Sequence, residues 1–265
     1  MISDLWRRGG LRTRTVMVIA LAVALYSLLT VVAVGIDAGA AVAAVAVVGG
    51  AITAVLLWLV ARLALPGGTV SGSEARFAVV WGGLVATCLA SLLNDVGPGF
   101  LIAPFVEELL KITGVVIVLR ILGTATPARG FVLGFLVGGA FEVYENVLYI
   151  AMPETPYEGG AMPLLTAVAV RVFVGFGLHA VTTALVGAAV GYTVTARGRL
   201  VGGPSAAALG AAIVIHLAWD VGPETGVAGL VLMAADYAVI VTVFVLTRRR
   251  TLALTAGSPP GPLTG

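Results

Sequence analysis

Apolar residues fall in long blocks along this chain, and short turns rich in Gly, Pro, Asn and Asp separate them. Eight blocks are visible: residues 15–34, 39–65, 75–93, 99–122, 129–150, 164–194, 205–221 and 225–246. Each has the length, about 17–25 residues or more, that a helix needs to cross a bilayer. Gly35-Ile36-Asp37, Pro66-Gly67-Gly68, Asn94-Asp95-Val96-Gly97-Pro98 and Gly222-Pro223 are turn and stop signals between blocks. The sixth block, about 31 residues, is longer than one crossing requires. Its start, up to Arg171, reads as a tilted or interfacial turn, with the helix following. The pattern predicts an all-α, polytopic transmembrane helix bundle of about eight membrane-spanning helices.

Composition agrees. The 265 residues are 60% hydrophobic and 11% charged, and the mean hydropathy is +1.10, whereas soluble domains carry about 25% charged residues. The 35 glycines suit close helix packing in lipid. One cysteine, Cys88, excludes an internal disulfide and a cysteine-based metal cluster. No nucleotide-binding glycine motif stands in a strand-turn-helix setting, and no nucleic-acid partner is expected. Ser91 has nothing to mark it as a nucleophile beside a histidine. The first block follows four arginines, as in a signal peptide, but is longer than such a peptide's apolar region and reads as a membrane helix.

The charge distribution gives orientation. Arg7, Arg8, Arg12, Arg14, Arg62, Arg76, Arg120, Arg129, Arg197, Arg199 and Arg248 to Arg250 fall at one set of helix ends. The alternate turns carry Asp37, Asp95, Glu154, Glu158 and Glu224, with Arg171 the exception. This is the positive-inside pattern with both termini cytoplasmic. The expected organisation is a basic cytoplasmic N-terminus over residues 1–14, a single transmembrane domain over 15–246, and a flexible cytoplasmic tail over 247–265.

Polar groups, nearly all ionisable, interrupt the fourth to eighth blocks: Glu107, Glu108 and Lys111; Glu142, Glu145 and Asn146; Arg171 and His179; His216 and Asp220; and Asp236. A charge at bilayer mid-depth costs at least about 2.5–3.5 kcal/mol, so such groups need partners. At about 1.5 Å per residue, the expected topology puts the groups of the fourth to seventh blocks at comparable depth in the outer half of the membrane. His and carboxylate oxygens are donors that suit zinc, and three of them leave a position open for water. A carboxylate outside the ligand set can take that water's proton. The two histidines, the only ones in the chain, point to one shared metal. Glu107 and Glu108 point about 100° apart on a helix, and spacing leaves open which of them serves as base. A purely structural ion-pair network remains the alternative for Glu107, Glu108 and Lys111, and Glu142 reads equally as packing or as support. Arg171 is expected to pair with an acid near the outer surface or with lipid headgroups.

These residues also form a family pattern. Glu107-Glu108-x-x-Lys111, preceded by Ala103-Pro104, is followed by Phe141-x-x-x-Glu145-Asn146-x-x-Tyr149. Arg171 precedes His179-x-x-x-Thr183-x-x-x-Gly187, and the last motif is His216-x-x-x-Asp220. The set, over residues 99–222, resembles the PrsW family of intramembrane metalloproteases, within a wider group that includes the CAAX prenyl proteases. The resemblance implies a catalytic core at 99–222 and zinc held by Glu145, His179 and His216. It also implies a base and a polarising carboxylate from Glu107 and Glu108, with support from Asn146 and Asp220. It further implies a multi-pass protein of the bacterial plasma membrane. The expected substrate is a single-pass membrane protein, such as an anti-sigma-factor-like regulator, cut near the outer face. The alternatives are a non-catalytic membrane scaffold of the same fold and a proton-coupled transporter. No internal inverted repeat supports the transporter.

Overall fold

The computed structural model describes residues 11–94, 97–122, 124–152, 161–257 and 261–262. The chain folds as an all-α bundle. Helices α1 (Leu11–Ala38) and α2 (Ala40–Ala64) meet at Gly39, whose φ of 80° lies where a side chain would be strained. Helix α3 (Gly72–Asn94) starts at a capping box: Ser71 accepts from the Glu74 amide, and Glu74 accepts from the Ser71 amide. The Ser71-x-x-Glu74 signal places this start three residues before the expected block. The helix widens to a π-turn over Trp81–Ala86.

Helix α4 (Gly99–Leu122) accommodates Pro104 about one turn from its start, where a single helix bond is lost. Helix α5 (Pro127–Ala151) is capped by the Thr126 hydroxyl and has proline at its first position. The sixth block is broken: α6 (Ala161–Ala169) runs into a π-turn at Val170–Val174, and α7 (Leu178–Arg197) starts only after Gly177. Helices α8 (Gly203–Val221) and α9 (Val227–Gly257) complete the bundle. A two-residue antiparallel pairing joins Thr124–Ala125 to Gly261–Pro262.

Among the described residues, seven helical stretches rather than eight are long and apolar enough to cross a bilayer. The one that fails is α4. It has 24 residues, but any part of it long enough to cross carries Glu107, Glu108 and Lys111, so its charge rather than its length sets it apart. Helix α9 also differs from the expected tail, since it continues past Arg248 to Arg250 as far as Gly257. Arg248 Nε donates to the Ala64 carbonyl at 2.5 Å, satisfying a terminal carbonyl of α2 and tying this end of α9 to the bundle. Residues 1–10 of the basic N-terminus and the loop acids Asp95, Glu154 and Glu158 lie outside the described residues.

Helix α5 is the central element, buried along most of its length. It meets α7 through a ladder of glycines. A Cβ on Gly130, Gly134 or Gly138 would overlap the carbonyl oxygen of Gly187, Thr183 or His179 respectively. Four-residue steps on α5 therefore match four-residue steps on the antiparallel α7, and the backbones touch. Helix α3 is tied to α4 by Trp81 Nε1, which donates to the Leu110 carbonyl at 2.9 Å. It is tied to α5 by the Glu74–Arg129 ion pair. Helices α1, α2 and α9 present rows of exposed Leu, Val and Ile outward, as lipid-facing surfaces do.

Candidate metal centre

Helices α4 and α7 begin, and α5 and α8 end, at one end of the bundle, and the ionisable groups lie on these four helices near that end. The structure brings them together. Glu107, Glu108, Lys111, Glu142, Glu145, Asn146, His179 and His216 are all buried, with Lys111 at 0% exposure. The imidazole rings of His179 and His216 stand edge to face with centroids 4.9 Å apart.

Ligand atoms of Glu107, His179 and His216 all lie within 4.8 Å of one another. Each has identifiable support. Glu107 Oε1 accepts from Asn94 Nδ2 at 3.0 Å, and Glu107 Oε2 is buried with no hydrogen-bond partner. That oxygen lies 3.7 Å from His216 Nε2. His216 Nδ1 is 3.1 Å from Glu108 Oε1. Glu108 Oε1 also accepts from Lys111 at 2.7 Å and from the Thr182 hydroxyl at 3.2 Å. A histidine that donates Nδ1–H to a carboxylate presents its Nε2 lone pair to a metal, the usual carboxylate–histidine arrangement. Asp220 Oδ2 is 3.6 Å from the same Nε2.

His179 is held on both nitrogens, Nδ1 by Lys111 at 2.7 Å and Nε2 by Glu145 Oε2 at 2.8 Å. Glu145 Oε2 also accepts from Arg171 at 2.7 Å. Arg171 therefore reaches inward, and its guanidinium stacks over Tyr149 with 4.3 Å to the ring centroid. Asn146 explains why it stays there. Its Oδ1 accepts from Arg171 Nε, and its Nδ2 donates to the Arg171 carbonyl and to Thr53. The side chain of Asn146 is thus committed to Arg171 and α2. Glu142 accepts from the Gly177 amide at 2.8 Å. Asp236 is buried with an unpartnered Oδ2.

The donors fit a divalent cation. Five carboxyl groups, on Glu107, Glu108, Glu142, Glu145 and Asp220, share this region with two fixed cations, Lys111 and Arg171. Buried negative charge in excess is costly unless another cation balances it. An unpartnered buried carboxylate oxygen next to two imidazoles is the oxygen–nitrogen set that zinc takes. Cavities reach the cluster from two sides. One, of about 290 Å³, is lined by Ser91, Asn94, Glu107, Phe141, Glu145 and Tyr149, among others. The other, of about 210 Å³, includes Glu142, Glu145, Arg171, His179 and Trp219. Glu145 lines both.

Two contributors carried no signal in the sequence. Asn94 stands in an ordinary Asn-Asp turn, and Thr182 is one polar residue among many in α7. Only the packing of α3 against α4, and of α7 against α4, shows that they hold the adjacent glutamates.

A family model described as PrsW family intramembrane metalloprotease matches residues 29–247. No curated protein and no solved structure matches the chain.

Proposed function

Because the chain belongs to the PrsW family of intramembrane metalloproteases, we propose that it cleaves a single-pass membrane protein near the outer face of a bacterial plasma membrane. An anti-sigma-factor-like regulator is the substrate class we favour. Metal-dependent proteolysis follows from the family together with the buried Glu/His/His group. The single observation that carries the reading is the convergence of Glu107, His179 and His216 from three separate helices.

In this proposal Glu107, His179 and His216 hold the zinc. Bound zinc supplies Lewis acidity toward a water and a peptide carbonyl. Glu108 orients His216 through Nδ1, and Lys111 offsets the Glu108 charge. Glu145 exchanges roles with Glu107 relative to the sequence expectation. Binding zinc through Nε2 would release His179 from Glu145 and move the ring proton to Nδ1, which would require Lys111 to turn wholly to Glu108, while Glu145 would keep Arg171. That carboxylate faces both cavities and is placed to accept the attacking water's proton. Asn146 fixes Arg171, which fixes Glu145. Asp220, whose Oδ2 is 3.6 Å from the His216 nitrogen that would bind zinc, would lie beside the metal position.

The proposal takes α4 as an eighth crossing, with its charges neutralised inside the bundle, and places residues 99–222 as the catalytic core. The alternation of arginine-bearing and acidic turns supports cytoplasmic termini, which sets the metal centre in the outer half of the membrane. Reconstitution with candidate single-pass substrates, followed by mass spectrometry of the products, tests the activity. Substrate cleavage by wild-type protein that is demonstrably free of metal overturns the mechanism. Cysteine labelling of intact cells tests the topology in a C88A background. A Glu154→Cys variant should label from outside, and labelling only after permeabilisation overturns the orientation.

A further inference from the structure

We propose that Glu142 is a positioning residue for the metal centre, capping α7 from the neighbouring helix and thereby fixing where His179 stands. The inference rests on the reading of His179 as a ligand. Helix α7 starts abruptly after the π-turn, and His179 is its second residue. The first amides of a helix have no partner inside it. The residue at the cap position is Gly177, at φ 86°, and it has no side chain with which to cap.

Glu142 takes over that task. Its Oε1 accepts the Gly177 N–H at 2.8 Å. One carboxylate from α5 thus engages the cap residue's amide, which a capping box would satisfy from within the helix. A carboxylate also suits the positive end of the helix dipole.

The register of α5 shows why this residue is in place. Gly130, Gly134 and Gly138 meet Gly187, Thr183 and His179 in steps of four, and Glu142 is the next step. The stripe changes from glycine to glutamate where α7 runs out of turns and its amides open. Glu145, three residues further along α5, holds the His179 ring at Nε2. His179 is therefore held from one helix at three places: its ring by Glu145, its carbonyl against Gly138, and the start of its helix, two residues earlier, by Glu142. Glu142 is 2% exposed and its Oε2 has no partner, so no hydrogen bond of that oxygen accounts for its burial.

The test compares E142Q, which keeps an acceptor oxygen, with E142M, which keeps length and removes it. Zinc affinity of purified protein is read by competition with a chromogenic chelator, and thermal unfolding of the zinc-free protein is measured alongside. E142Q should bind zinc within about threefold of wild type. E142M should bind about ten- to a hundredfold more weakly, the range seen when a ligand's supporting partner is lost. If E142M lowers only the unfolding temperature and leaves zinc affinity unchanged, Glu142 is merely structural and the proposal is overturned. It is equally overturned if E142Q binds as weakly as E142M. Where E142M does not accumulate folded, E142A takes its place under the same criteria. H179A separates the two levels. Wild-type zinc affinity in H179A removes the ligand reading itself, whereas its loss beside an unaffected E142M removes only the cap.

Discussion

Glu74 and Glu107 are both buried carboxylates on adjacent helices, each 3% exposed, yet their surroundings have little in common. Glu74 uses both oxygens: one accepts the Ser71 amide and the other pairs with Arg129. The pairing joins one anion to one cation at the start of two helices. Glu107 pairs one oxygen with Asn94 and leaves the other without a hydrogen bond, beside two histidines. In the ion pair that only holds helices together both carboxylate oxygens of Glu74 are engaged, although Arg129 Nε is left without a hydrogen bond. A site that must bind something keeps one oxygen open, and the surrounding fold bears the cost. The contrast separates structural burial of charge from functional burial within one bundle.

The strongest way to break this comparison is to remove a histidine. H216A should reduce zinc from about one per chain to almost none and abolish cleavage, as should treatment of wild-type protein with a chelator. Metal analysis of protein purified without added zinc reads the first, and product mass spectrometry the second. Full zinc occupancy in H216A would place Glu107 in the same class as Glu74.

Next comes the division between Glu107 and Glu145. E107Q should lose zinc together with activity. E145Q should keep zinc while cleavage falls by about a hundredfold or more, since a glutamine cannot take the water's proton. The reverse pattern would return Glu145 to the ligand set and Glu107 to the base.

K111M sharpens the comparison through stability. It leaves Glu108 buried without its cation, a change that costs about 3–5 kcal/mol when a buried pair is broken. The expected outcome is lower yield and a lower unfolding temperature, alongside any loss of activity. The smallest functional effect belongs to E74Q. It should cost about 1–3 kcal/mol in stability, while zinc per folded chain and the cleavage rate stay at wild-type values. Thermal unfolding together with kinetics on the same preparation decides it.

Much of this architecture was legible in the sequence because membrane burial makes charge conspicuous. Glu107, Glu108, Lys111, Glu145, His179 and His216 stood out against apolar runs, and all of them converge. The parts that were not legible depend on direction rather than on position. Adjacent glutamates have the same sequence signal, and only the partners of each distinguish them: Asn94 for Glu107, and Lys111, Thr182 and His216 for Glu108. Arg171 was expected to pair with an acid near the outer surface or with lipid headgroups; the acid is Glu145, and nothing in the spacing reveals that Asn146 holds the guanidinium there. The break at residues 170–177 was visible only as excess length. Its consequence, that His179 belongs to a helix start, needed the backbone. Helix α4 was legible in both respects, since its block has the length of a crossing and its three charges set it apart from the seven more apolar helices.

The glycine ladder between α5 and α7 acts as a mechanical stop. Each carbonyl on one helix sits where a side chain on the other would have to be, so sliding by one residue would drive Cβ atoms into backbone oxygens. Two of the metal centre's walls, the one carrying Glu142 and Glu145 and the one carrying His179, are therefore locked in register by their main chains. Any widening at the centre has to come from the other contributors, α3, α4, α8 and the π-turn that carries Arg171, moving against this locked pair.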